Sequence, residues 1–173
     1  MIRFFITFSL ILFFGCNNSE TQQNEELNRI VQSICIYHSL TNKINPEILP
    51  LTVYSSNERD NIIYQYPSVD IEEILNAYPN YTKTDSLKIL NNTYELNRIN
   101  IIKDINPKLK YNTAKSNKNT FQVSSPIFLS NDQMAFIVVT KWDKLGYFQE
   151  NIYILKRDLE KWNVVNSRIG QKQ

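Results

Sequence analysis

Six consecutive apolar residues from Met134 to Val139 constrain this chain more than any other feature. Side chains alternate across a strand, so Met134, Phe136 and Val138 point one way while Ala135, Ile137 and Val139 point the other. With no polar face left for water, such a strand belongs at the centre of a sheet covered on both sides, by a helix on at least one of them. It opens a β-rich run from Met134 to Trp142, and similar runs flank that at Phe121 to Leu129, Tyr147 to Lys156 and Lys161 to Arg168. Ser130-Asn131-Asp132, Asp143 to Gly146 and Asp158-Leu159-Glu160 divide the four runs. Connections this short join antiparallel neighbours, so the expectation is a four-strand meander.

The covering helix is legible upstream. Leu27, Ile30, Val31, Ile34, Tyr37 and His38 follow the spacing of an amphipathic helix running to about Asn42. Asn45-Pro46 and Pro50 then exclude helix. Leu51 to Ser55 and Ile62 to Tyr66 read as two short strands around the polar segment Ser56 to Asn61. Asp70 with Glu73 matches a capping-box pattern opening a short helix that carries Ile71, Ile74, Leu75 and Tyr78 and closes at Pro79-Asn80. Leu87 to Leu90 and Ile99 to Ile105 read as strands, with Asn91-Asn92 between them as a turn. The fold class expected is α+β: an N-terminal helix packed on a mainly antiparallel sheet ending in the four-strand meander.

At 173 residues, 42% of them hydrophobic, one core accounts for the whole domain. The net charge of +2 is spread without a basic run longer than two residues, which gives no footprint for displacing counterions from nucleic acid. Only 3 glycines are present, at Gly15, Gly146 and Gly170, and no phosphate-cradling loop or nucleophile elbow can be drawn from isolated ones.

The first residues read as an address. Met1-Ile2-Arg3 supplies a charged start, and Phe4 to Phe14 is apolar apart from Thr7 and Ser9. As a helix this stretch would cover about 17 Å, well short of the ~30 Å hydrocarbon core of a bilayer. Leu12-Phe13-Phe14-Gly15-Cys16 follows, and it resembles a bacterial lipobox of the kind tolerated in Bacteroidota. The resemblance implies cleavage before Cys16 and attachment of fatty-acyl chains, palmitate among them, to that cysteine. Two acyl chains suffice for stable anchoring where one is marginal. The expected organisation is a lipoprotein signal peptide over 1–15, a flexible tether over 16–26 with no apolar residue between Asn17 and Glu26, and one α+β domain over 27–173. The expected location is the cell envelope, lipid-anchored to the outer membrane and facing the periplasm or the surface, with the bilayer as a partner through acylated Cys16.

The C-terminal third resembles a pattern in exported proteins and lipoproteins of Bacteroidota. Its elements here are Ser124-Ser125-Pro126-Ile127-Phe128, Asn131-Asp132, Ala135 to Val139, Ile152 to Lys156 and Glu160-Lys161-Trp162-Asn163-Val164. Those relatives often carry a glycine-rich hairpin where this chain has Lys141 to Tyr147, and the resemblance implies no particular activity.

Catalytic chemistry has few places to sit. There is 1 histidine, so nucleophilic catalysis would have to use His38 and a histidine-rich zinc site is excluded. Cys35 and His38 are neighbours at i and i+3 on the helix, which permits a thiol and imidazole pair, but their apolar setting reads as a buried structural cysteine and a core histidine. With Cys16 acylated, Cys35 has no partner for an internal disulfide. The carboxylates are scattered and no calcium loop is present. Asp85-Ser86-Leu87 resembles the Bacteroidota O-glycosylation site and makes Ser86 a candidate attachment point. Trp142, Tyr147 and Phe148, with Lys144 between them, surround one hairpin turn; exposed, they would form a binding tip for protein or glycan, and packed inward they would be ordinary strand residues.

The function expected from the sequence is a non-enzymatic, membrane-anchored binding or interaction module of the cell envelope, with no cofactor, no metal and no nucleic acid. An inhibitor or immunity-type protein against a secreted toxin or hydrolase is one alternative. A hydrolase using two carboxylates across a cleft is the other.

Overall fold

A computed structural model describes residues 18–54, 67–77, 82, 85, 86, 89, 94–114, 116–130 and 132–172. Cys16 and the strand expected over 62–66 lie outside them, as does most of the strand expected over 87–90.

Helix α1 runs over Asn18–His38. Leu27, Ile30, Val31 and Ile34 form its buried stripe, as their spacing predicts. The helix begins nine residues before the apolar pattern and takes in most of the stretch expected to be a tether. Partners from the rest of the chain hold this polar beginning: the Tyr94 hydroxyl donates to the Gln23 carbonyl, and Asn24 exchanges hydrogen bonds with Asn100. At the other end the helix stops at His38, four residues short of the expected limit, where Ser39 adopts a φ of 47° and turns the chain out of the helix.

The strands are β1 (Lys43–Ile44), β2 (Thr52–Tyr54), β3 (Ser68–Asp70), β4 (Lys110–Tyr111), β5 (Thr120–Val123), β6 (Ile127–Leu129), β7 (Met134–Trp142), β8 (Phe148–Asp158) and β9 (Lys161–Lys172). The main sheet has the order β4-β1-β5-β7-β8-β9, with β6 also paired to β7. β1 is parallel to β4 and β5, while the pairs from β5 through β9 are antiparallel. The first of the four expected C-terminal runs is broken at Ser124 to Pro126 into β5 and β6, which lie in line along β7. Proline cannot donate to a ladder, and the Ser124 hydroxyl instead accepts from the Val138 amide across the break.

β7 is buried from Ala135 to Thr140. On one face Ala135, Ile137 and Val139 join Phe121, Tyr153, Leu155 and the α1 stripe; on the other Phe136 and Val138 meet Ile127, Leu129, Ile152 and Ile154. The second face is closed by helix α2 (Ile71–Ala77), through Ile74, and by β2 and β3, which pair with each other in parallel. Asp70 caps α2 by accepting from the Glu72 amide, while the Glu73 carboxylate pairs with Arg168 of β9.

Residues 99–105, expected as a strand, run along α1 without a ladder partner. The Ile99 amide donates to the Pro46 carbonyl and the Ile101 amide to the Tyr111 hydroxyl, while amide side chains of α1 take up Asn100, Ile102 and Ile105. Asn28, fully buried, donates to the Asn24 and Asn100 carbonyls and accepts from the Ile102 amide and from Asn106 Nδ2. Gln32 continues the series by donating to the Ile105 carbonyl. Amide side chains carry both donor and acceptor, so a row of them on a helix can satisfy an irregular segment that no strand reaches.

Candidate functional site

The β7–β8 hairpin follows from one aspartate. Asp143 Oδ1 accepts from the amides of Leu145, Gly146 and Tyr147 at 2.8, 2.8 and 3.0 Å, and the Asp143 amide donates to the Tyr147 carbonyl. Gly146 sits at a φ of 98°, a conformation glycine adopts without a Cβ clash. The loop is therefore fixed by its own backbone rather than by packing, and its side chains are free to point outward. Trp142 and Phe148 face each other across the base and are half-buried. Lys144 is exposed, Tyr147 is 63% exposed and Leu145 is 74% exposed. Of the four residues expected at this tip, Tyr147 and Lys144 are presented while Trp142 and Phe148 form the footing. Leu145 was not singled out by the sequence reading because nothing in an isolated leucine distinguishes a tip from a core position.

An open concavity lies along α1. Its floor is the helix's outward stripe, including Glu25, Arg29, Ser33 and Ile36, and its walls come from residues 102–105 and 160–164; its volume is about 920 Å³. Arg29 pairs with Glu25 at 2.6 Å and with Glu160 at 3.5 Å, so both signs of charge are already matched across the floor. Beside it Glu26 accepts from Arg157 and from Trp162 Nε1, both at 2.7 Å, with the Arg157 guanidinium 5.9 Å from the Trp162 ring. The spacing of residues along the chain does not show this trough, because its walls come from segments more than 60 residues away from the helix.

Cys35 and His38 are not set up as a nucleophilic pair. Burial pushes the Cys35 thiol up to about 12, which leaves it protonated at neutral pH and without nucleophilic character. His38 is exposed rather than buried in the stripe, and its Nδ1 lies 2.5 Å from the hydroxyl of Tyr153. Partial burial and the nearby Lys141 both hold the imidazole below its usual value, which favours the neutral ring. Glu150 is raised by burial on β8, opposite Thr140. Among the described residues, no three or more His, Cys, Asp or Glu side chains are grouped so as to hold a metal ion.

Ser86 is half-buried and its hydroxyl points back to the Thr82 carbonyl. Asp85 beside it is buried: its carboxylate accepts from the amide and hydroxyl of Thr82 and from the Ser130 amide, while the Asp85 amide donates to Thr82 Oγ1. This reciprocal pair is a capping box, so the aspartate of the triplet has a structural role. No described helix is long and apolar enough to cross a membrane. No protein-family model, curated protein or solved structure matches the chain.

Proposed function

We propose that the chain is a non-enzymatic interaction module, lipid-anchored in the bacterial cell envelope through Cys16, and that the β7–β8 hairpin is its contact surface. The observation that carries this reading is the tip itself: two large apolar side chains, Leu145 and Tyr147, exposed on a loop whose backbone is locked by Asp143. Preorganised apolar residues lose little entropy on binding and concentrate contact energy in a few positions. The engaged histidine and protonated thiol support a binding role over a nucleophilic one. In the same reading residues 120–172 act as one four-strand meander whose first strand is broken at Ser124 to Pro126, giving the hairpin a stiff two-strand stem.

Two measurements test the proposal. Intact mass and membrane fractionation beside Cys16→Ala should show an acylated chain beginning at Cys16, with membrane association lost in the variant. Crosslinking on whole cells from a photoreactive group at position 147 should capture an envelope partner, and Leu145→Ala with Tyr147→Ala should abolish the adduct while leaving the fold intact. Equal crosslinking by the double variant would overturn the assignment of the tip.

A further inference from the structure

β9 is the last strand of the main sheet, and among the described residues no strand lies beyond it. It is 12 residues long and contains no proline. Alternate N–H and C=O groups along it face away from β8 as an unpaired row, which makes the edge a template for another strand. At its beginning α1 covers the edge: the Arg29 guanidinium donates to the Glu160 carbonyl just before the strand, and the Ser33 hydroxyl donates to the Trp162 carbonyl. From Val165 to Gly170 no described side chain does the same.

This open half also carries apolar side chains on one face. Val165 is 54% exposed and Ile169 is 64% exposed. Ile169 pairs with Asn151, which pairs with Val139, and residues paired across a ladder share a face, here the one covered by α1. Val165 lies two residues before Ser167, the partner of Tyr153, so it is on that face as well. Ile36 and Tyr37 of α1, both exposed, border the same edge and line the trough together with Val164. The one charged residue between Val165 and Gly170 is Arg168, on the opposite face and drawn back to Glu73 of α2. The register with β8 is regular from Asn166 to Ile169, with its two shifts on either side of that stretch.

We propose that β9 is a dimerisation edge, pairing antiparallel with β9 of a second copy of the chain about a two-fold axis at Ser167. A two-fold that joins two edges into one sheet stands perpendicular to the sheet and keeps each face continuous, so one residue lies opposite its own copy. Centred on Ser167, it sets Val165 against Ile169 of the second copy and Asn166 against Arg168 of the second copy, each pair occurring twice. Centred on Asn166, it would set Val165 opposite Ser167 and Ile169 opposite Asn163; centred on Arg168, it would oppose two guanidinium groups. Centred on Val165 or on Ile169, it pairs one of the two with itself and leaves the other without an apolar partner. Ser167 alone gives both exposed apolar side chains apolar partners with no like charges opposed. The edge backbone would accept any extended strand, and it is this self-complementary register that selects a second copy. The pairing depends neither on the lipid anchor nor on the β7–β8 tip.

The test is disulfide trapping in whole cells that produce the full chain in a Cys35→Ser background, with copper–phenanthroline as oxidant and the parent Cys35→Ser chain as the measure of background. Residues directly opposite in an antiparallel pair have Cα atoms about 4.5–5.5 Å apart, within disulfide reach. Ser167→Cys should therefore give a product of twice the chain's mass. Val165→Cys and Ile169→Cys should each give none alone, because each lies four residues, about 14 Å, from its own copy, and should crosslink when the two variants are produced together. Adding Ile169→Lys to Ser167→Cys should cut the product about tenfold, with the circular dichroism of the purified chain unchanged. No product above background at position 167 would overturn the proposal, as would equal trapping by Val165→Cys alone, which would mean another register or chance collision. An adduct whose mass is not twice that of the chain would assign the edge to a different protein and overturn the choice of a second copy.

Discussion

Asn28→Ala provides the sharpest test of how the domain holds together. The side chain is fully buried; it donates to the Asn24 and Asn100 carbonyls, with a longer contact to Asn24 Oδ1, and accepts from the Ile102 amide and Asn106 Nδ2. Three of those partners keep another bond: the Asn24 carbonyl accepts within the helix, the Asn100 carbonyl accepts from Asn24 Nδ2, and Asn106 Nδ2 donates to the Asn28 carbonyl. The Ile102 amide has no second partner in the described structure, so the alanine variant leaves a donor stranded in a tight interface. Stranding a buried donor costs about 1–3 kcal/mol, and each lost satisfied bond adds about 1 kcal/mol or less because its partner is rescued. The expected destabilisation is about 3 kcal/mol, a large fraction of the stability of a domain this size. Urea unfolding followed by circular dichroism should show a lower midpoint at unchanged slope, and the Ile102 amide should lose hydrogen-exchange protection before the β7 amides do. A loss below about 0.5 kcal/mol, with Ile102 still protected, would refute the claim that the asparagine row holds residues 99–105 in place.

Leu159→Gly should stabilise the domain by about 1 kcal/mol, since glycine meets no Cβ penalty at a φ of 56°, and a thermal melt reads it directly. Glu26→Gln removes the carboxylate shared by Arg157 and Trp162; a loss of about 1–2 kcal/mol in stability should accompany a change in Trp162 emission, read in a Trp142→Phe background. Cys35, with its thiol raised from 9.0 to about 12, should be alkylated about 1000-fold more slowly than a free thiol at pH 8 in the native chain, and at the ordinary rate in urea. The same shift has a definite sign in stability. Above pH ~8.5 the unfolded chain loses the Cys35 proton that the folded chain keeps, so this residue's contribution falls as pH rises from there toward 12, and Cys35→Ala should flatten that part of the stability profile.

What the sequence disclosed follows from where periodicity applies. The run Met134 to Val139 required cover on both faces, and it has α1 on one side and α2 with β2 and β3 on the other. The stripe Leu27, Ile30, Val31 and Ile34 identified the covering helix for the same reason: apolar spacing reports which face is dry. Where hydrogen bonding by side chains decides the backbone, periodicity is silent. Ile99, Ile101 and Ile105 look like strand residues, yet Asn24, Asn28 and Gln32, placed at helical spacing on α1, draw that segment out of the sheet. The polar beginning of α1 was opaque in the same way. Asn17 to Glu26 has the composition of a linker, and Tyr94, Asn100, Arg157 and Trp162, distant in sequence, hold residues 18–26 in the helix. At the hairpin, Asp143 and Gly146 marked a turn, but the division into presented Tyr147 and Leu145 over half-buried Trp142 and Phe148 depends on strand register, which a five-residue loop does not determine.

These unreadable features converge on one element. α1 covers the sheet with one face, satisfies residues 99–106 with its asparagine row, and through Glu26 holds the base of the β8–β9 turn. A helix of 21 residues is about 31 Å long, comparable to the diameter of a small domain, so it ties the two ends of the sheet to a common axis.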